Sequence, residues 1–139
     1  MKTILEEGNK YILRFDKGEE LIKSLTDFCE EEKIESGWFS GLGATSDIVI
    51  SHYDIDVKRY SDVSITERLE IISLAGNIAM MGGKTIIHTH GSFSDLKMNT
   101  RAGHIKKLIV GPTCEVFMEK FDGKIEREYS DEIGLNLLK

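Results

Sequence analysis

At 139 residues, with a formal net charge of −6 and a pI near 5.2, the chain has the length of one domain and a charge that repels phosphate backbones. No basic run or Arg/Lys stripe offsets that repulsion, so unaided DNA binding is disfavoured. No stretch approaches the roughly 18 apolar residues of a membrane span and Met1–Glu7 has no apolar signal core, which makes the cytoplasm the expected compartment.

Lys10–Phe15 reads as a strand ended by Asp16-Lys17-Gly18. From Glu19 to about Glu32 the period changes. Leu21, Ile22, Leu25, Phe28 and Cys29 form one stripe of an amphipathic helix, with Asp16 and Glu19 at capping-box spacing before it. Glu30-Glu31-Glu32 stands at the helix end disfavoured by the macrodipole and is expected to be a solvated face. Ser36–Ala44 is dense in glycine but lacks the G-x-G-x-x-G spacing, so close backbone packing beside the helix, rather than a phosphate cradle, is expected. Cys29 and Cys114 lie far apart in apolar segments and read as buried reduced thiols.

Asp47–Tyr53 alternates as a strand carrying His52, which has no neighbour to share a metal and reads as structural or exposed. Asp54–Ser64 is expected to be a polar connection. Arg68–Met81 is a second extended segment, and Gly82-Gly83 is a hairpin-type turn. Ser92–Ala102 reads as a polar loop. Lys107–Phe121 reads as a strand broken at Gly111-Pro112, followed by the turn Asp122-Gly123, a strand over Lys124–Tyr129, and a short packed tail, Gly134–Leu138. One substantial helix and about seven strands, mostly joined by hairpin-length turns, make an α+β domain with a largely antiparallel sheet and the helix packed on it.

The segment Lys84–Gly91 concentrates the chemistry. Three of the four histidines fall there and shortly after: His88, His90 and His104. On a strand, residues i and i+2 share a face, so His88 and His90 point the same way. Both imidazoles can then reach one ion at roughly 2.0–2.1 Å. His104 follows Gly103, which lets the backbone come close. Zinc is the first choice for such a site, with nickel, copper or iron also compatible with imidazole donors. Three protein ligands leave a coordination position open.

These segments together resemble the PPC (plants and prokaryotes conserved) domain, also called the DUF296 or PD1-like domain. The matching pieces are Tyr11–Glu20, Ser36–Ala44, Leu69–Ile78, and His88-Thr89-His90 with Gly103-His104. The resemblance implies a compact α+β domain that associates as a homotrimer, with a zinc-type site at His88, His90 and His104. In plant relatives an AT-hook supplies the DNA contact, while the domain mediates self-association and transcription-factor binding. Their contact motif, Gly-Arg-Phe-Glu-Ile-Leu, aligns with Glu67 followed by Arg68, Leu69, Glu70, Ile71 and Ile72. Departures at Glu67 and Leu69 weaken that partner-binding assignment. The chain has no Arg-Gly-Arg-Pro core, and Ala102-Gly103 stands where the family usually has two glycines.

The first functional reading is therefore a metal-binding oligomer with a regulatory or ligand-binding role and an unidentified protein or small-molecule partner. The alternative is a small zinc-dependent hydrolase using the open position, with Asp95 or Glu115 as the candidate general base. A cupin-like site ranks below both. Asp95 takes its carboxylate place, but Gly103 is one position late and the Pro-x-Gly-x-x-His half is missing.

Overall fold

Tyr11, Leu13 and Phe15 are buried while their neighbours are not, the period of two that gives a strand one core-facing side. The structure, a computed structural model, describes residues 1–139. Its elements in chain order are β1 (Lys2–Glu7), β2 (Lys10–Asp16), α1 (Leu21–Glu31), β3 (Gly37–Asp54), β4 (Arg59–Ile65), β5 (Leu69–Met81), β6 (Lys84–Ser94), β7 (Thr100–Lys120), β8 (Arg127–Ser130) and β9 (Leu135–Leu138). The first seven strands form one antiparallel sheet in the order β1-β2-β7-β6-β5-β3-β4, and β8 pairs with β9 in a second, two-stranded sheet. Because β7 also pairs with β3, the strands β3, β5, β6 and β7 close into a ring. Phe39, Leu74, Ile78, Phe93 and Leu108 fill its apolar interior.

The α+β class, the single helix and the seven-stranded sheet agree with the sequence. Helix α1 buries Leu21, Leu25, Phe28 and Cys29 and packs on β6 and β7. Its cap differs from the expected pair. The Glu20 carboxylate accepts the N–H groups of Ile22 (3.3 Å) and Lys23 (2.6 Å), and also that of Leu108 on β7 (3.1 Å). Glu19 instead turns back to accept the Asp16 N–H at 2.6 Å. Glu30, Glu31 and Glu32 are solvated, as expected. Both cysteines are free and buried, and burial pushes each thiol up to about 12.

Three expectations about connections are corrected. The supposed polar connection Asp54–Ser64 contains β4, a sheet-edge strand whose only buried residue is Ile65. The supposed loop Ser92–Ala102 is the end of β6, a tight turn and the start of β7, with Ser94 paired to Thr100. β7 runs unbroken through Gly111-Pro112. There its pairing with β3 jumps from Thr45↔Val110 to Gly43↔Cys114, so the proline, which has no N–H to donate, sits in a bulge. The short packed tail takes the form of the strand β9, paired with β8. β1 was not anticipated at all.

The glycine-dense segment also packs elsewhere than expected. It is the first half of β3, and its close neighbour is the backbone of β7, not the helix. A Cβ on Gly37 would lie 2.6 Å from the Glu119 carbonyl oxygen, and one on Gly43 (φ 147°) would lie 2.7 Å from Cys114 Cα. Side chains there would force the ring open.

Candidate metal centre

Along β6, Thr89 and Gly91 face inward while His88 and His90 stand on the outer face, the alternation the pleat imposes. The antiparallel register of β6 and β7 sets His104 directly opposite His90, with Gly91 opposite Gly103. At Gly103 a Cβ would lie 3.0 Å from the Ser51 carbonyl oxygen of β3, so glycine is what lets β7 sit this close to its other neighbour. The three imidazoles converge. Their ring centroids are 5.1 Å (His88–His90), 5.1 Å (His88–His104) and 5.3 Å (His90–His104) apart, and one ligand atom from each lies within 4.8 Å of the other two.

Two donors at tetrahedral zinc distances stand about 3.4 Å apart, so side-chain rotations of about 1 Å would bring the trio to bonding distance. Electrostatics favours the lone-pair form. Burial, then the charges of Arg127, His104 and His90, push His88 down to about 4. Burial, His90 and Lys106 lower His104, with Asp62 opposing them. Neutral imidazoles are what a cation requires. His104 Nδ1 is buried with no hydrogen-bond partner, a polar atom for which the chain supplies nothing. The donor set therefore fits a divalent metal.

Residues distant in sequence enclose the cluster. The Tyr60 ring of β4 lies 5.2 Å from that of His104, with Lys106 Nζ 4.9 Å from the Tyr60 centroid. On the other side the β8–β9 hairpin brings in Arg127. Its Nη2 donates to Asn77 Oδ1 at 2.7 Å and stands 3.3 Å from His88 Nδ1, and its Nη1 donates to the Asn136 carbonyl at 2.7 Å. A cavity of about 550 Å³ opens between hairpin and cluster, lined by His88, His104, Arg127 and apolar residues of β6 and β9. None of these enclosing residues was singled out from sequence, where nothing in the spacing ties residue 60, 127 or 137 to residue 88.

The two proposed carboxylate bases are not at the cluster. Asp95 lies in the β6–β7 turn, five residues beyond His90 or about 17 Å along the strand. Its carboxylate accepts from the N–H groups of Lys97 and Asn99 and from Asn99 Nδ2, the role of a turn former. Glu115 is exposed far along β7, opposite Arg14 and Leu42. The cupin-like reading loses its carboxylate with Asp95. The acid that does act on the cluster is Asp62, whose bonds to Lys106 and Ser51 hold it below the usual carboxylate range and so make it a weak proton acceptor. His52 is exposed and stands apart from the cluster. Of the segment aligned with the plant contact motif, Leu69 and Ile71 are buried in the core, leaving Arg68, Glu70 and Ile72 to face solvent.

A search of curated proteins finds no significant match. Solved structures are far more informative. A Bacteroides thetaiotaomicron protein provisionally described as DNA binding superposes with a TM-score of 0.94 at 31% identity, over 97% of this chain and 94% of its own. A protein from Archaeoglobus fulgidus described as metal-containing gives 0.88 at 34% identity, over 99% and 98%. A plant- and prokaryote-conserved (PPC) protein from Pyrococcus horikoshii gives 0.89 at 30% identity, over 100% and 97%. The family model of the Plants and Prokaryotes Conserved (PCC) domain matches residues 3–122, which takes in the whole closed ring and all three histidines. The chain belongs to the Plants and Prokaryotes Conserved domain family.

Proposed function

We propose that the protein is a metal-binding member of this family in which His88, His90 and His104 hold a divalent ion, zinc foremost, with nickel, copper and iron as alternatives. The observation that carries the reading is the convergence of three imidazole donors within 4.8 Å, two of them kept neutral by their surroundings. The description of the Archaeoglobus relative as metal-containing supports it. When bound, such an ion supplies a Lewis-acidic position open to a ligand. Arg127 donates to Asn77 beside His88, and the β8–β9 hairpin stands on one side of the cluster.

The cavity beside the cluster favours a ligand-binding or regulatory role over direct DNA contact, since a chain of net charge −6 repels phosphate backbones. The hydrolase alternative is weakened by the positions of Asp95 and Glu115. The protein is further proposed to assemble as a homotrimer in the cytoplasm. Leu5, Trp38 and Phe117 line a shallow apolar depression, with Leu42 exposed further along β3, and a second copy of the chain is the proposed cover.

Metal analysis of untagged protein tests the centre. About one ion per chain is expected in the wild type, with loss in His88→Ala and His104→Ala; unchanged content in both variants would overturn the assignment. Light scattering should give about 47 kDa, three times the 15.7 kDa chain, and a monomer mass would remove the trimer.

A further inference from the structure

The guanidinium of Arg127 is the one charge in the centre that the chain does not balance. Arg14 and Arg101 pair with carboxylates near the surface, at 3.2 Å to Asp16 and 2.8 Å to Glu67. Arg127 is half-buried, and no carboxylate of the chain forms an ion pair with it. Its partners are a side-chain amide, a backbone carbonyl and an imidazole, all of which orient the fork without neutralising it. The Nε atom is buried with no acceptor at all. A partly desolvated cation held by neutral groups is stabilised most by an anion brought to it.

The surroundings define that anion. His88, His104 and Lys106 add no negative charge, and Asp62 is already taken by Lys106 and Ser51. The cavity of about 550 Å³ has the size of a small-molecule site. Its far wall is apolar, built from Ile86, Ile87, Leu135, Leu137 and Leu138, which disfavours a fully hydrated ion such as free phosphate. We infer that this cavity binds a small organic monocarboxylate, its charged end on Arg127 at the histidine cluster and its hydrocarbon end against β6 and β9. The inference builds on the proposed metal centre only for a second contact to the carboxylate; the contact to Arg127 stands without it.

The test uses butyrate, its neutral isostere butyramide and inorganic phosphate, titrated by calorimetry and by amide NMR into zinc-loaded and chelator-stripped protein. Butyrate should bind the loaded protein and perturb the β9 amides, butyramide and phosphate should bind far more weakly, and Arg127→Gln should lose about tenfold or more in butyrate affinity while keeping its metal. If R127Q fails to fold, R127K decides. It keeps the charge without the fork and should bind several-fold more weakly, whereas unchanged affinity would overturn the inference. Should the wild type hold no metal, that reading fails alone. Butyrate binding to the metal-free chain, lost in R127Q, would still support the carboxylate site. Absence of butyrate binding in both forms, equal binding by R127Q, or phosphate binding tighter than butyrate overturns it.

Discussion

Gly76 joins core packing to the histidine cluster, so Gly76→Ala probes both. On β5 it pairs with Phe39 of β3 and Thr89 of β6. A Cβ there would stand 2.7 Å from Phe39 Cε1, closer still to Cζ, and 2.7 Å from the backbone oxygen of His88. Ordinary contact begins at 3.4 Å, so the overlap is about 0.7 Å or more against a fully buried ring and a backbone carbonyl. Neither moves freely inside a closed ring of strands. Overpacking of this kind costs about 3 kcal/mol at the upper end of its range, and the stiffer unfolded chain returns less than about 1 kcal/mol. A net loss of about 2 kcal/mol is expected. With an unfolding entropy of about 0.3 kcal/mol per degree for 139 residues, thermal melting by circular dichroism should fall by about 7 °C. Gly123→Ala, with nothing within 4 Å, is the control and should leave the melt unchanged. The cost should shrink by about 1 kcal/mol or more in a Phe39→Leu background, where the ring is gone. Metal affinity should also drop, because the obstructed carbonyl belongs to a proposed ligand. A G76A melt within 1 °C of wild type, or an equal cost with and without Phe39, would refute the packing argument.

Acid should weaken the metal-free protein through His88. Its folded pKa of about 4 lies below the ordinary histidine value of 6.5, so the stability it carries is complete above pH 6.5 and is lost as pH falls through 4. After discounting for its partial exposure, about 1–2 kcal/mol is at stake. Urea unfolding of wild type and His88→Gln at pH 7 and pH 4 should show that excess loss only in the wild type, and parallel losses would exclude it. Trp38→Glu combined with Phe117→Glu should convert the proposed trimer to monomer in light scattering; a trimer that survives both charges does not use that face. Duplex DNA titrated across salt concentrations should show no appreciable affinity at physiological ionic strength, and a tight, sequence-selective complex would overturn the charge argument.

What the sequence made legible depends on whether the signal was local. His88 and His90 declare a shared face through a period of two, and α1 declares its buried side through Leu21, Leu25 and Phe28. β1 and β4 lie at the two ends of the sheet order with nearly every residue solvated, so neither carries the apolar alternation by which a strand is read. Only part of the role of Glu20 is local, because its third partner, Leu108, is supplied by a strand that arrives 88 residues later. Arg127 was invisible for the same reason. Its meaning comes from Asn77, Asn136 and His88, which only the folded chain assembles.

The closed ring also explains why the chemistry lies on the outside. Ring closure draws the inward side chains of β3, β5, β6 and β7 into one apolar core and leaves no interior room for a solvated ion. The outward positions of β6 and β7 are then the rigid platform available, and their register fixes His90 against His104 within the reach of His88. A platform alone would be open to water. Two non-local additions enclose it: Tyr60 from the edge strand β4 and the β8–β9 hairpin, whose leucines and arginine form the remaining walls. The histidine cluster and the cationic recess are thereby products of different parts of the chain, the first built by the sheet and the second by the segment that follows it. Of these, the family match through residue 122 covers the sheet but not Arg127 or β9. The residues proposed to select the ligand are thus split between the two parts, with Ile86 and Ile87 of β6 inside the matched region and Arg127 and the β9 leucines beyond it.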